Sequence, residues 1–320
     1  MTVQLVLTAI PDSPTILGLY EQDCKDRQLS PETIRRYASI TRHFSDYLAD
    51  RGLSVFQIDK HVIHDYIRKR ASEKVDQKTM ENELTAISGL YEFLVFEDHI
   101  PSNPVPGVRK RYIRRYKEET DVDDESPRRL LSIEQMSLLI NSILDTRDKA
   151  INLLLAKTGV RRGELIAMDI GDVNWADQSI TLKRKQFRKR SNRIVFFDDE
   201  AARVLKRWIH QRSKLDSQTP ALFIGEHGGR LKRNGVYSMV VKYAERVGLH
   251  DPGSARIEDH FSPHCYRHFF TTWLRRGGMD KEKIKVLRGD RRREAIDIYD
   301  RIDPEEVKRE YLAYVPQLGV

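Results

Sequence analysis

Apolar residues recur along this chain at helical spacing through most of its length and switch to a two-residue period only once. After Ser30, a residue type that caps helices, and Pro31, which fits the first helical position, Ile34, Tyr37, Thr41, Phe44 and Leu48 fall on one face. The spacing predicts a helix. The segments VIHDYIRKRASE and KTMENELTAISGLYEFLVFE repeat the pattern, the second with Leu84, Ile87, Leu90, Tyr91 and Leu94 as its stripe. PSNPVPGV, residues 101–108, carries too much proline to continue a helix and is expected to close this helical segment.

Beyond it, Ser132 and Gln135 fit a capping box and predict a helix start. Helices are expected at about 133–143 and 146–157, with a short one at GELIAM. SITLK and RIVFF are then short runs of β-branched and aromatic residues around a long basic stretch, the signature of a β-hairpin. Helical spacing resumes in DEAARVLKRWIHQR, NGVYSMVVKYAERVG, CYRHFFTTWLRRG, KEKIKVLRG and PEEVKREYLAYV. The expected fold is mainly α with a small antiparallel β element.

With 320 residues, two cores are the natural expectation. The domains are expected at 1–108, helical, and 130–320, joined by a linker at 109–129 that is basic first and acidic afterwards. With 32% charged residues and no apolar run near the ~20 residues of a membrane span, no membrane partner is expected. The opening MTVQLVLTAIPDSPT lacks the basic start and cleavage site of a secretory signal, so a cytoplasmic location is expected. Two cysteines, Cys24 and Cys265, are too few for a disulfide framework. The net charge of +8 points to an anionic partner.

Three segments carry candidate chemistry: TGVRRGEL at 158–165, HCYRH at 264–268 and LRGDRRREAIDIYDRI at 287–302. Together they resemble the catalytic core of the tyrosine recombinase, or phage integrase, family. That family combines Thr-Gly-x-Arg-x-x-Glu-Leu, a lysine on a β-hairpin, His-x-x-Arg and a downstream tyrosine. The resemblance covers roughly 130–315 by motif. It implies a DNA breaking and rejoining enzyme built from a helical core-binding domain and a catalytic domain. It assigns Arg161, His264, Arg267 and Tyr299 to the catalytic set, with Lys185 preferred over the nearby Lys183 and Lys189. One position departs from the family, which usually carries histidine or tryptophan after the glycine where this chain has Gly289-Asp290, nine residues before Tyr299.

The chemistry accounts for these residue types. A phenol oxygen stores the phosphate of a broken strand as an ester. Two guanidiniums fork onto phosphate oxygens as charge accumulates in the transition state, and a lysine protonates the leaving 5′-oxygen. No metal or cofactor is needed for this. An ionised Asp290 has no proton to donate to phosphate, so its expected role is to accept hydrogen bonds from Arg267, Arg161 or another basic residue. Taken singly, each motif has a bland alternative: a solvated Arg-Arg pair, an incidental histidine, or one tyrosine among thirteen, with Tyr266, Tyr311 and Tyr314 expected in cores or interfaces. Their joint occurrence in order carries the inference. His260, His264 and His268 fall four apart, but Pro263 interrupts any single helix bearing all three, so a metal site is not expected.

The hairpin tip KRKQFRKRSNR, 183–193, holds seven basic residues in eleven. Lys183, Arg184, Arg188, Lys189 and Arg190 are expected to contact phosphates, as are Arg109, Lys110, Arg111, Arg114 and Arg115 in RKRYIRRYK. The expected partner is double-stranded DNA at recombination sites, with four copies of this chain on paired sites. The tail beyond Tyr299 is expected to form a helix that docks on a neighbour or packs on its own domain. Two alternatives stay open: a DNA-relaxing or resolving enzyme of the same chemistry, and a DNA-binding accessory protein that lost catalysis, which Asp290 keeps in play.

Overall fold

Helix starts in the computed structural model follow short-range rules. The structure describes residues 12–113, 130–183, 193–290 and 302–320; Arg114, Arg115, Arg184, Lys185, Arg188, Lys189, Arg190 and Tyr299 lie outside them. The chain divides into two compact units, Met1–Asp121 and Val122–Val320.

In the first unit, Asp12, Ser30, Asp59 and Asp76 each turn a side-chain oxygen onto free N–H groups of the helix that follows. The helices are α1 (Ser13–Asp26), α2 (Pro31–Ala49), α3 (Lys60–Ser72), α4 (Gln77–Phe96) and α5 (Val105–Tyr112). Ile34, Phe44 and Leu48 of the α2 stripe meet Leu84, Ile87, Leu90 and Leu94 of α4 in one core. Each such burial contributes about 1.5–3 kcal/mol. Glu83 is buried there without loss, because Tyr66 Oη donates to it at 3.0 Å and Arg70 Nε at 2.9 Å.

Helix α5 corrects the sequence expectation. Its prolines sit at the N-cap and in the first turn, where no intrahelical N–H is lost. The chain therefore continues as helix through Arg109, Lys110 and Arg111 instead of entering a linker at 109, with Val105 and Val108 buried in the first unit's core. The three basic side chains are exposed on α5.

The second unit is built around α7 (Thr146–Thr158), which follows α6 (Ile133–Asn141). Ser132 and Gln135 form the expected capping box. Ile151, Leu153, Leu154, Leu155 and Ala156 are all buried, so α7 has apolar residues all round and no single stripe. After α8 (Arg162–Ala167) comes an antiparallel sheet of order β1-β2-β3, with β1 (Val173–Asn174), β2 (Ser179–Leu182) and β3 (Arg193–Phe196). The β2–β3 hairpin has Ile180 opposite Val195 and Leu182 opposite Arg193. Helices α9 (Asp199–Arg212), α10 (Arg233–Arg246), α11 (Pro263–Gly277), α12 (Lys281–Arg288) and α13 (Pro304–Tyr314) complete the unit.

The tail packs on its own unit. Val307, Tyr311 and Val315 join Phe270, Leu274, Ile284 and Leu287 in a satellite core, and Leu318 enters the main one. Glu200 accepts the N–H groups of Leu318, Gly319 and Val320. Lys157, 1% exposed, donates to Asp198 and Glu200 at 2.5 Å and to the Pro316 carbonyl at 2.6 Å. Among the described residues, no helix is long and apolar enough to cross a membrane.

Candidate active site

The Thr-Gly lead-in sets where Arg161 begins. Helix α7 stops because Gly159 takes the left-handed conformation at φ 57°, with its N–H on the Leu155 carbonyl at 3.0 Å. A Cβ at Gly159 would overlap the Phe270 ring, so the glycine provides both the turn and the clearance. Arg161 is then the N-cap of α8, and its N–H donates to Glu164 Oε2 at 2.7 Å. Arg267 arrives from α11, whose start is fixed by Ser262 accepting the His264 N–H at 3.3 Å and by Pro263 in the first turn. The third strand of chain comes from the end of α12. Gly289, at φ 63°, ends that helix and lets the Asp290 N–H reach back to the Lys285 carbonyl at 3.1 Å.

These three segments converge. Arg161 Nη2 donates to Asp290 Oδ1 at 2.9 Å and Arg267 Nη2 donates to the same oxygen at 2.8 Å. The Arg288 carbonyl accepts from Arg161 Nη1 at 2.9 Å and from Arg267 Nη2 at 2.8 Å. Arg267 Nη1 also donates to the Gly159 carbonyl at 2.8 Å. Arg288 pairs with Asp290 Oδ2 at 2.8 Å. One carboxylate thus faces three guanidiniums.

The electrostatics follow from this crowding. Arg267 is 4% exposed; burial first, and then Arg161 and Arg288, push it down to about 9, while Asp290 opposes the fall. Burial pushes Asp290 up, but Arg267, Arg288 and Arg161 together outweigh it and hold the carboxyl below the ordinary aspartate value. Asp290 is thus the negative partner that the three guanidiniums share, and its charge opposes the fall at Arg267.

Glu164 accepts a two-pronged contact from Arg193, Nη1 to Oε1 at 2.8 Å and Nη2 to Oε2 at 3.0 Å. Burial raises its carboxyl, yet Arg193, the Arg161 N–H and the Arg161 charge bring it down to about 2. Arg161, Arg267 and His264 line a cleft of about 470 Å³ together with Val160, Ser262 and Tyr237. Asp290 and Arg288 are not among the residues that line it. His264 is exposed at the start of α11, its ring 4.5 Å from that of His268 and nearly perpendicular to it.

The structure brings Arg161, Arg267, His264 and Asp290 together, and it describes neither Lys185 nor Tyr299. Lys183 pairs with Asp172 at 2.5 Å, and that carboxylate and Asp169 raise its pKa. Of the tyrosines set aside as core residues, Tyr266 is wholly buried and donates to Asn152 Oδ1, and Tyr311 is wholly buried and donates to the Lys157 carbonyl at 3.0 Å. His260 stands before α11 with Nε2 2.8 Å from the Ser254 carbonyl. Among the described residues, no group of three or more potential metal-ligating side chains is placed to hold an ion.

Sequence reasoning overlooked Glu164, Arg193 and Arg288. Arg193 stands at the end of the basic run without a role of its own in the sequence reading, and it turns inward onto Glu164. The one local signal was its place opposite Leu182, at the base of the hairpin.

Residues 129–306 match the phage integrase family, and residues 19–98 match the phage integrase N-terminal SAM-like domain. The chain is 25% identical over 293 residues to the tyrosine recombinase XerC of Actinobacillus pleuropneumoniae, covering 91% of this chain and 90% of that one. It is 26% identical to the XerC of Haemophilus ducreyi over 293 residues, 91% of each chain. Among solved structures it is similar to the Tn1549 transposon integrase in complex with transposon right end DNA (TM-score 0.64, 16% identity, 92% of this chain and 98% of that one). The XerH site-specific recombinase bound to difH substrate is another (TM-score 0.62, 18% identity, 92% and 83%). These last two likenesses concern the fold.

Proposed function

Since the chain belongs to the phage integrase family of tyrosine recombinases, we propose that it is a site-specific DNA recombinase that cuts and rejoins strands through Tyr299. In this reading the Tyr299 oxygen attacks the scissile phosphorus, and its proton leaves toward a base, a role assigned to His264 because it lines the same cleft as Arg161 and Arg267. The bond to the 5′-oxygen breaks, that oxygen takes a proton from Lys185, and the strand is left as a 3′-phosphotyrosyl ester. A 5′-hydroxyl of the partner strand reverses the step. Arg161 and Arg267 grip the non-bridging oxygens, where negative charge builds in the transition state. Asp290 acts on the guanidiniums and not on the phosphate. The domains are proposed as an N-terminal helical one that includes α5 and a catalytic one at 130–320, holding duplex DNA through Arg109, Lys110, Arg111, Arg114 and Arg115 and through the hairpin residues Lys183, Arg184, Arg188, Lys189 and Arg190. Recombination itself would use four protomers on paired sites, in the cytoplasm, with no cofactor.

The observation that carries the reading is the convergence of two guanidiniums, from segments 106 residues apart, on one oxygen at 2.8 and 2.9 Å. A surface arginine has no cause to be buried at such a point. The test is a nicked suicide oligonucleotide bearing the target site, resolved on a denaturing gel. A covalent protein–DNA band is expected from the wild type and none from Tyr299→Phe. No band from the wild type favours an accessory protein that kept the fold, and relaxation of a plasmid without paired sites favours a DNA-relaxing enzyme.

A further inference from the structure

We infer that the cleft beside Arg161 and Arg267 takes a second phosphate of the cleaved strand, next to the scissile one, and that Arg162 and Arg233 are its ligands. This rests on the reading above. The wall of the cleft holds four arginines, Arg161, Arg162, Arg233 and Arg267, and two histidines, His260 and His264, and among the described residues that line it there is no carboxylate. A cleft walled by one sign of charge concentrates the opposite sign, and a DNA strand supplies that at every nucleotide. One phosphodiester does not use all of these groups. Its two non-bridging oxygens are taken by Arg161 and Arg267 in the reaction.

Local geometry sends the consecutive arginines of TGVRRGEL to different partners. Arg161 is the N-cap of α8, with extended backbone, and reaches Asp290 at 2.9 Å. Arg162 is the first residue of that helix, and its Cζ lies 6.0 Å from the centre of the Tyr237 ring. This is the outer reach of a cation–π contact, and it turns the guanidinium toward α10. Tyr237 and Arg233 stand four residues apart on α10, hence on one face, and both are exposed and line the cleft. His260 lines it as well, but its Nε2 is 2.8 Å from the Ser254 carbonyl. Arg162 and Arg233 thus meet the cleft from α8 and α10, as Arg161 and Arg267 meet it from the start of α8 and from α11. A guanidinium from each of two elements is the arrangement that suits a phosphate group, because each can fork onto its oxygens.

Replacing one phosphate by an uncharged methylphosphonate removes the ligand without touching the protein, so the site can be probed from both partners. The full-length wild type, Arg162→Gln and Arg233→Gln are titrated with intact duplex bearing the target site. The duplex is either unmodified or carries a methylphosphonate at the first phosphate on the 5′ or on the 3′ side of the scissile one. Thermal melting follows the fold. On unmodified DNA each variant is expected to bind about 10-fold more weakly, the low end of what hydrogen bonds to a charged group contribute. On one of the two methylphosphonate duplexes the wild type is expected to lose the same factor and the variants to lose nothing more. Which duplex does so tells on which side the second phosphate lies. Unchanged affinity of either folded variant, or a loss that neither methylphosphonate absorbs, would overturn the inference. If Arg162→Gln does not fold, Arg233→Gln, at an exposed position in the first turn of α10, decides. The covalent band on nicked suicide DNA is scored in parallel. Its absence from the wild type counts against the recombinase reading itself, whereas a band without coupling to either neighbouring phosphate strikes the second phosphate alone.

Discussion

Replacing Asp290 by asparagine exchanges one charge for an amide of the same shape and isolates what the carboxylate does. In the folded chain Oδ1 receives two charge-assisted hydrogen bonds, from Arg161 at 2.9 Å and Arg267 at 2.8 Å. Bonds to charged groups contribute about 1.5–3 kcal/mol each against about 1 for neutral ones, so the exchange costs about 1 kcal/mol per bond. The Asp290 side chain is 28% exposed, and water screening trims the pair of bonds to a total of about 1–2 kcal/mol. The amide oxygen still accepts, so the fold persists. The arginines lose their shared counter-charge, however, and repel one another at a point where Arg267 is almost without solvent. A displacement of the order of 1 Å at a reacting centre costs about 10²-fold in rate. Urea denaturation should therefore show the modest stability loss, while single-turnover cleavage of nicked suicide DNA falls by the larger factor. Asp290→His, which adds a donor but no negative charge, should not exceed the wild type. Wild-type cleavage by Asp290→Asn together with faster cleavage by Asp290→His would refute the assignment of Asp290 to the guanidiniums.

Two further expectations concern buried charge. Glu164 is depressed from its ordinary 4.5 to about 2 on folding, so its contribution is complete above pH 4.5 and is lost as pH falls toward 2; at about 1.36 kcal/mol per unit this amounts to about 3 kcal/mol. Glu164→Gln should be less stable at neutral pH and show a flatter stability profile through that window, and an unchanged acid limb in urea melts would contradict the pairing with Arg193. Lys157→Met leaves Asp198 and Glu200 facing each other with side chains only 6% and 7% exposed, and removing one member of such a buried cluster costs about 3–5 kcal/mol. A denaturation midpoint equal to the wild type would show that the Lys157 cluster does not hold the tail.

What was legible in the sequence is what depends on neighbours within a turn or a strand pair. The α2 stripe, the Ser132–Gln135 box, the hairpin strands and the Gly159 stop follow from spacing, capping and φ preference, all of which act over a few residues. Helix α5 was hidden because proline discourages a helix interior but suits its first turn, and which applies depends on where the helix begins. Helix α7 shows no stripe because burial on all sides erases the periodicity that marks a half-exposed helix. The arginines of TGVRRGEL and HCYRH could be singled out by their motifs. Glu164, Arg193 and Arg288 could not be placed, because a charged residue reads as solvent-facing until folding supplies a partner. Only the tertiary structure does that here, when the ends of α7 and α12 and the base of β3 meet beside α11. Burying a charge is costly unless an opposite charge and hydrogen bonds are waiting, and those come from residues far apart along the chain.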